Sequence, residues 1–266
     1  MTREPPLAKK VRSADGTPIA YERLGDGPPI ILLGGALTSG LRSFPSFVDL
    51  ARALSSTFTV FTYDRRGRGE SSNNEPYAVD REIDDLEALI AEAGGAAYVH
   101  GRSSGAVLAL AASARGAAIA KLSLFEPPLP GGAADPGLAA WRSEQIASGR
   151  RGEVVEQFLA DDVRLPSGAI TGMRQGPAWA QLEAVAHTIA HDVAITGDPA
   201  LWSERARSVS VPTLVLDSDA SPKHLRAAAR TAAEALPAAR HRTVAGGVHD
   251  APAEILAPVL AEFFAA

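Results

Sequence analysis

The 266-residue sequence predicts an α/β fold, a mostly parallel, doubly wound sheet of about eight strands. Three observations carry that expectation. Short β-like runs alternate with amphipathic helical stretches, the sign of a parallel sheet with crossover helices. A glycine-flanked serine, GlyArgSerSerGly at 101–105, falls where such a strand hands over to such a helix. The stretch 127–208 breaks the rhythm, with helical patterns and no strand pattern.

In chain order, KKVRS and TPIAYERL read as a β-hairpin around the AlaAspGly turn at 14–16. PIILL (29–33) is a continuous apolar run, as expected for a strand buried on both faces. TFTVFTYD (57–64), AAYVHG (96–101), KLSLFE (121–126), PTLVLD (212–217) and RHRTVA (240–245) complete the strands. The spacing predicts a helix over 77–93, stopped by GlyGly at 94–95, and a small-residue helix over 104–115 packed on the sheet. Further helices are expected over 222–235 and 252–264. The strandless stretch opens with ProProLeuProGlyGly and holds helical segments at 137–148, 152–161 and 175–190. It reads as a helical lid inserted after strand six. The expected division is therefore a core of 1–126 and 209–266 and a cap of 127–208; the C-terminal piece alone is too small to bury a core.

Composition narrows the chemistry. There is no cysteine, so disulfides, thiolate metal sites and cysteine nucleophiles are excluded. The net charge is −5 and no Lys/Arg run is present, which argues against a nucleic-acid partner. The opening MTREPPLAKKVRS lacks the apolar segment of a signal peptide, and no apolar stretch is long enough to span a bilayer. A cytoplasmic protein with a small, mostly apolar partner and no membrane contact is the expectation; the oligomeric state stays open.

GlyArgSerSerGly matches G-x-S-x-G, in which a serine sits on a tight strand-to-helix turn. The glycines are needed for steric reasons, and the turn lifts Ser103 Oγ clear of the sheet beside the amides of the helix N-terminus. A hydroxyl nucleophile needs a base. His249, in GlyGlyValHisAsp between the last strand and the last helix, reaches the same sheet edge. His100 reads as wall packing, His224 and His241 as surface. His187 and His191 are four apart, but HisThrIleAlaHis lacks the glutamate of HExxH and a third ligand, so no metal is expected. The glycines of LeuLeuGlyGlyAlaLeu (32–37) let backbone approach a substrate. The amides of Ala36 and Ser104 are the candidate oxyanion donors, and Gly35, Leu37 and Arg102 the neighbouring substrate contacts. Among the aromatic residues of the lid, Trp179 is the candidate for the pocket wall.

Taken together, the GlyGlyAla loop, TyrAspArgArgGlyArgGlyGluSerSer (63–72) and GlyGlyValHisAsp resemble the α/β-hydrolase family with a helical cap, over the whole chain. TyrAspArgArgGlyArgGly is similar to the family's D-x-R-G-x-G-x-S segment, a structural turn after strand four. Two departures stand out. Gly34 stands where the family usually has a histidine. Ser221, before Pro222, stands where it usually has the triad aspartate. The resemblance offers Glu126 instead, at the end of strand six, a position used by some α/β-hydrolases, among them lactone hydrolases of the zearalenone type. Asp217 is the rival acid, and Asp219 is offset from the expected place.

The resemblance implies a cofactor-free serine hydrolase acting on a carboxylic ester or lactone through Ser103, His249 and Glu126. Two alternatives stay open at this point: a C–C bond hydrolase or cyclase with the same triad, and a ligand-binding protein on a hydrolase scaffold that has lost its acid.

Overall fold

The computed structural model describes residues 8–38, 45–130 and 135–266. The leader reading of residues 1–7 and the GlyGly of ProProLeuProGlyGly lie outside the described residues. Eight strands form one sheet in the order β1-β2-β4-β3-β5-β6-β7-β8. They are β1 (Lys9–Arg12), β2 (Pro18–Leu24), β3 (Pro29–Leu33), β4 (Thr59–Tyr63), β5 (Ala97–Arg102), β6 (Ile119–Phe125), β7 (Thr213–Ser218) and β8 (Ala239–Val244). The first hairpin is antiparallel and β2 joins β4 antiparallel; every pairing from β4 onward is parallel. This is the α/β-hydrolase fold.

The sheet is doubly wound because its strands are apolar on both faces. Alternate residues of β3 point to opposite layers, Ile31 and Leu33 to one cluster and Ile30 and Leu32 to the other. The first layer contains α2 (Val79–Glu92), α3 (Ser104–Arg115) and α10 (Lys223–Ala235). The second contains α1 (Pro45–Leu54) and α11 (Ala253–Ala265), with Leu50 and Leu54 in one cluster with Leu256 and Leu260. Helix α1 has no counterpart among the sequence expectations. Its first residue is Pro45, a residue suited to the first turn of a helix, where the missing N–H costs nothing.

Between β6 and β7 the regular elements of the described chain are all helical. It runs through α4 (Pro136–Ala147), α5 (Arg151–Gln157), a π-helical turn Phe158–Asp162, α6 (Ser167–Gln175), α7 (Trp179–Ala184), a 3₁₀ turn Ala186–Thr188, α8 (Ile189–Thr196), α9 (Pro199–Ser203) and a last 3₁₀ turn, Arg205–Ser208. The single helix expected over 175–190 is in fact broken. Gly176 is extended (φ −84°, ψ 158°) before Pro177, and Val185 leaves helical geometry (φ −107°, ψ 8°). No described helix is long and apolar enough to cross a membrane.

The chain order reverses at β3, whose neighbours are β4 and β5. In doubly wound sheets the crevice beyond the carboxyl ends of the strands at such a reversal is where ligands sit. Here it is walled by the loop after β3 and the turn after β5.

Candidate active site

Register brings the pieces together. Leu33 pairs with Gly101, Arg102 with Phe125, and Phe125 with Leu216. Four neighbouring strands, β3, β5, β6 and β7, therefore leave the sheet side by side, and Ser103 and Glu126 each stand one residue beyond a paired position. Ser103 N–H donates to Phe125 O at 2.9 Å, and Glu126 N–H to Leu216 O at 2.9 Å.

Ser103 adopts φ 54°, ψ −126°, a strained conformation for a residue with a Cβ. The flanking glycines explain how the turn closes. A Cβ on Gly101 would lie 2.6 Å from Ala106 Cα, and one on Gly105 only 2.5 Å from Gly34 O. Positive φ occurs at five described non-glycine residues, and four are here: Leu37 (59°), Ser103 (54°), Glu126 (44°) and His249 (55°). Such strain concentrates where surrounding structure holds side chains in functional positions.

His249 Nδ1 lies 2.5 Å from Glu126 Oε2. The Glu126 side chain is fully buried, and its other oxygen accepts Ser218 N–H at 2.8 Å. Burial alone raises a carboxyl pKa. The hydrogen bond and charge of His249, with hydrogen bonds from Ser218 N–H and the Ser221 hydroxyl, outweigh it and hold Glu126 below its ordinary value. Ser221 also braces the imidazole loop by accepting His249 N–H at 2.8 Å. The rival acid lies elsewhere. Asp217 shares a strand face with Val215, in the layer of α10, whereas His249 precedes α11 in the opposite layer. Its buried carboxylate lies 3.3 Å from His241 Nε2 and 3.9 Å from Arg226 Nε. His241, expected on the surface, is thereby half-buried beside an acid. Asp219 accepts Gly246 N–H.

Ser103 and His249 line one cleft of about 320 Å³, together with Gly35, Ala36, Leu37 and Arg102. They are not hydrogen-bonded to each other in this structure. Such contacts in an enzyme without its substrate are often long and tighten in the complex. The rest of the wall is largely apolar, and Phe158, Leu159, Val163, Leu165, Ala169, Met173 and Leu182 come from the helical segment. A smaller recess of about 70 Å³ shares Ala36, Ser103 and His249 and adds Ser104, Glu126, Asp162 and Asp192. Neither Ala36 N–H nor Ser104 N–H has a backbone acceptor among the described residues.

Arg102 turns back on the His249 loop, donating to His249 O at 2.5 Å and to Asp250 Oδ1 at 3.1 Å. Trp179 is a correction. It packs inside the helical segment with Val154, Val155 and Ile189, and its Nε1–H donates to Glu183 at 3.1 Å, away from this cleft. Its position ahead of a broken helix turns it inward. The remaining imidazoles are engaged locally. His100 meets Ser123 Oγ at 3.0 Å, His187 Nε2 meets Gly67 O at 3.0 Å, His191 stacks on Tyr77 with ring centroids 3.7 Å apart, and His224 meets Val163 O at 3.2 Å.

Sequence reasoning missed a buried ionic cluster beneath the site. Arg65 makes a two-pronged pair with Glu82 at 2.7 and 2.9 Å and a bond to Asp192 at 2.7 Å. Arg68 reaches the other Asp192 oxygen at 2.6 Å. Arg66 is paired separately with Asp85. The available signal was location: arginines in a glycine-rich turn straight after a buried strand have little route to solvent.

Residues 30–258 match the Alpha/beta hydrolase family. The chain belongs to this family. An α/β-hydrolase from Sphaerobacter thermophilus DSM 20745 is 45% identical, covering 96% of this chain and 100% of that one, with a TM-score of 0.90. A hydrolase from Pseudomonas aeruginosa PA01 (24% identical, 97% and 98% covered, TM-score 0.75) shares the fold. So does the enol-lactonase of Burkholderia xenovorans LB400 (22% identical, 97% and 100% covered, TM-score 0.75). The uncharacterized hydrolase YraK of Bacillus subtilis (strain 168) is 39% identical over 99 residues, 36% of this chain. That match spans 35% of the length of YraK. This α/β-hydrolase thus keeps the family's elbow and histidine loop while drawing the carboxylate partner of His249 from β6.

Proposed function

We propose that the protein is a serine hydrolase that cleaves a carboxylic ester or lactone through an acyl-enzyme at Ser103. The observation that carries this reading is the buried Glu126 carboxylate held 2.5 Å from His249 Nδ1. With Nδ1–H committed to Glu126, the other ring nitrogen is left as the base. It accepts the Ser103 proton as Oγ attacks the carbonyl carbon, and Glu126 stabilises the imidazolium that forms. The carbonyl oxygen becomes an oxyanion that takes hydrogen bonds from Ala36 N–H and Ser104 N–H. Collapse expels the alcohol, which leaves with the proton from His249. Water, deprotonated by His249, then attacks the acyl-enzyme and releases the acid and Ser103.

Leu37, Gly35 and the aliphatic stem of Arg102 meet the substrate from the core side. The helical segment 127–208 acts as the cap, since seven of the cleft's lining residues, Phe158 to Leu182, belong to it. The lining favours an uncharged, apolar acyl group, because Arg102, its only lysine or arginine among the described residues, is already paired with Asp250. Glu126 also weakens the binding-protein reading, whose ground was the absent aspartate at Ser221. The test is Ser103→Ala against the unaltered protein, with p-nitrophenyl butyrate and a fluorophosphonate probe. Both hydrolysis and labelling should be lost. Full hydrolysis by Ser103→Ala overturns the proposal.

A further inference from the structure

We infer that Arg68 and Asp192 are positioning residues that aim the two oxyanion-hole amides, so that a helix of the cap sets the geometry of the hole. The inference rests on the serine-hydrolase reading and concerns what holds its oxyanion donors.

Arg68 Nη1 donates to Gly35 O at 2.7 Å. Gly35 C=O and Ala36 N–H belong to one peptide unit, and it is trans. In a planar trans peptide these two groups point in opposite directions. Fixing the carbonyl on Arg68 therefore fixes the direction of the Ala36 N–H. This peptide lies directly beside the nucleophile, since a Cβ on Gly35 would be 2.9 Å from Ser103 Cβ. The guanidinium also draws electron density toward the carbonyl oxygen, which makes the N–H across the same amide a stronger donor.

The second amide is tied to the same carboxylate. Ser104 Oγ–H donates to Asp192 Oδ1 at 2.7 Å, and Arg68 holds Asp192 Oδ2 at 2.6 Å. Arg65 completes the Oδ1 side at 2.7 Å. One side chain from α8 thus spans the loop after β3, through Arg68, and the elbow after β5, through Ser104. Arg68, Asp192 and Ser104 are all at most 2% exposed. Burying such a cluster is costly, so stability gives little reason to keep it. Within D-x-R-G-x-G-x-S, the pattern's own arginine is Arg66, which is committed to Asp85. Arg68 occupies a variable position of the pattern, so the pattern itself assigns it no role.

The experiment compares Arg68→Met, Arg68→Lys and Ser104→Ala with the parent. It measures kcat and KM for p-nitrophenyl butyrate and the inhibition constant of an alkyl trifluoromethyl ketone. That ketone adds to the serine as a tetrahedral oxyanion. Arg68→Met should lower kcat roughly 10- to 100-fold, below the ~10²–10³ lost when an oxyanion donor is removed outright. KM should stay within about threefold, and the inhibition constant should rise in parallel with the loss in kcat/KM. Arg68→Lys, which keeps a charged donor for Gly35 O, should recover part of the loss. Ser104→Ala removes only the hydroxyl tie and should show a smaller loss with the same parallel. Ser104→Ala decides the matter alone if Arg68→Met does not fold. An unchanged kcat in both, or a fall in kcat with unchanged ketone affinity, overturns the inference. A Ser103→Ala control that still hydrolyses the ester would instead remove the reading beneath it.

Discussion

Glu126 and Ser221 share His249 between them. The glutamate takes the imidazole Nδ1 at 2.5 Å, and the serine takes the backbone N–H of the same residue at 2.8 Å. The family's usual aspartate position is therefore occupied by a brace, and the carboxylate arrives from the neighbouring strand. The exchange is possible because β6 and β7 are adjacent and parallel, with Phe125 paired to Leu216. The residue just past β6 then reaches the same histidine as the loop past β7.

That division of labour separates two carboxylates by experiment. Glu126→Gln should lower kcat by about 10²–10⁴, because the amide neither stabilises an imidazolium nor enforces the tautomer. Asp217→Asn, in the opposite helix layer beside His241 and Arg226, should leave kcat within about twofold. Steady-state kinetics of the two variants checks the assignment; the reverse ranking would sink it.

Much of this arrangement could be read from the chain itself. PIILL reads as a strand and is one, since an unbroken apolar run has nowhere to lie but between two helix layers. Gly101 and Gly105 announce the elbow because no side chain fits at either position. His249 could be placed at the sheet edge by chain order alone. The choice between Glu126 and Asp217 was less accessible. The two are level by register, and the choice turns on where each strand stops: Glu126 stands just past the end of β6 with φ 44°, whereas Asp217 is still held within β7. The cluster around Asp192 was illegible for a different reason. Its partners are separated by 124 and 127 positions, so the place of the arginines after a buried strand hints at burial but nothing local names Asp192 as the partner. Trp179 failed similarly, because its direction depends on where the cap helix breaks.

Restoring the family's aspartate should harm this enzyme. Ser221→Asp removes a hydrogen bond that lowers the Glu126 pKa and sets a like charge beside a fully buried carboxylate. Two carboxylates sharing one site cannot both ionise freely, so one pKa rises and the pair titrates together. The acid limb of the kcat profile should therefore move to higher pH than in the parent. In the Glu126→Gln background the same substitution should help, since it returns a single carboxylate to the imidazole. A double variant no better than Glu126→Gln in a pH–rate measurement would show that Ser221 is not close enough to serve.

Stability should fall on mild acidification because two histidines are buried and neutral. Burial, followed by the charge of Arg102, lowers His100 to about 3. Burial is also the main cause that lowers His191 to about 4. Both folded values lie below the unfolded value of about 6.5. The unfolded chain thus takes up protons that the folded chain refuses. Their stability is fully present above about pH 6.5 and is lost as pH falls toward 4 and then 3. At pH 5 the loss is about 2 kcal/mol for each histidine. Urea unfolding at pH 7.5 and 5.0 should show it, and His100→Gln should reduce the difference by about half. An unaltered pH dependence in that variant would mean that His100 is charged or exposed in the fold.

The acyl group, finally, should be measured by the cap. Ala169 faces the cleft from α6 yet is itself exposed, so its replacement leaves the interior packing intact. A phenyl ring there, in Ala169→Phe, takes space from a cleft of about 320 Å³ at the end formed by Leu165, Met173 and Leu182. The expectation is that a short acyl chain leaves that space empty. Hydrolysis of p-nitrophenyl acetate should stay within about twofold. The kcat/KM for p-nitrophenyl octanoate should fall by roughly tenfold or more, since mismatched volume in an apolar pocket costs about 1–3 kcal/mol for each methylene. The two esters carry the same leaving group, so their ratio isolates the acyl side. An equal loss on both would place the acyl chain outside the cap cleft and assign that space to the alcohol.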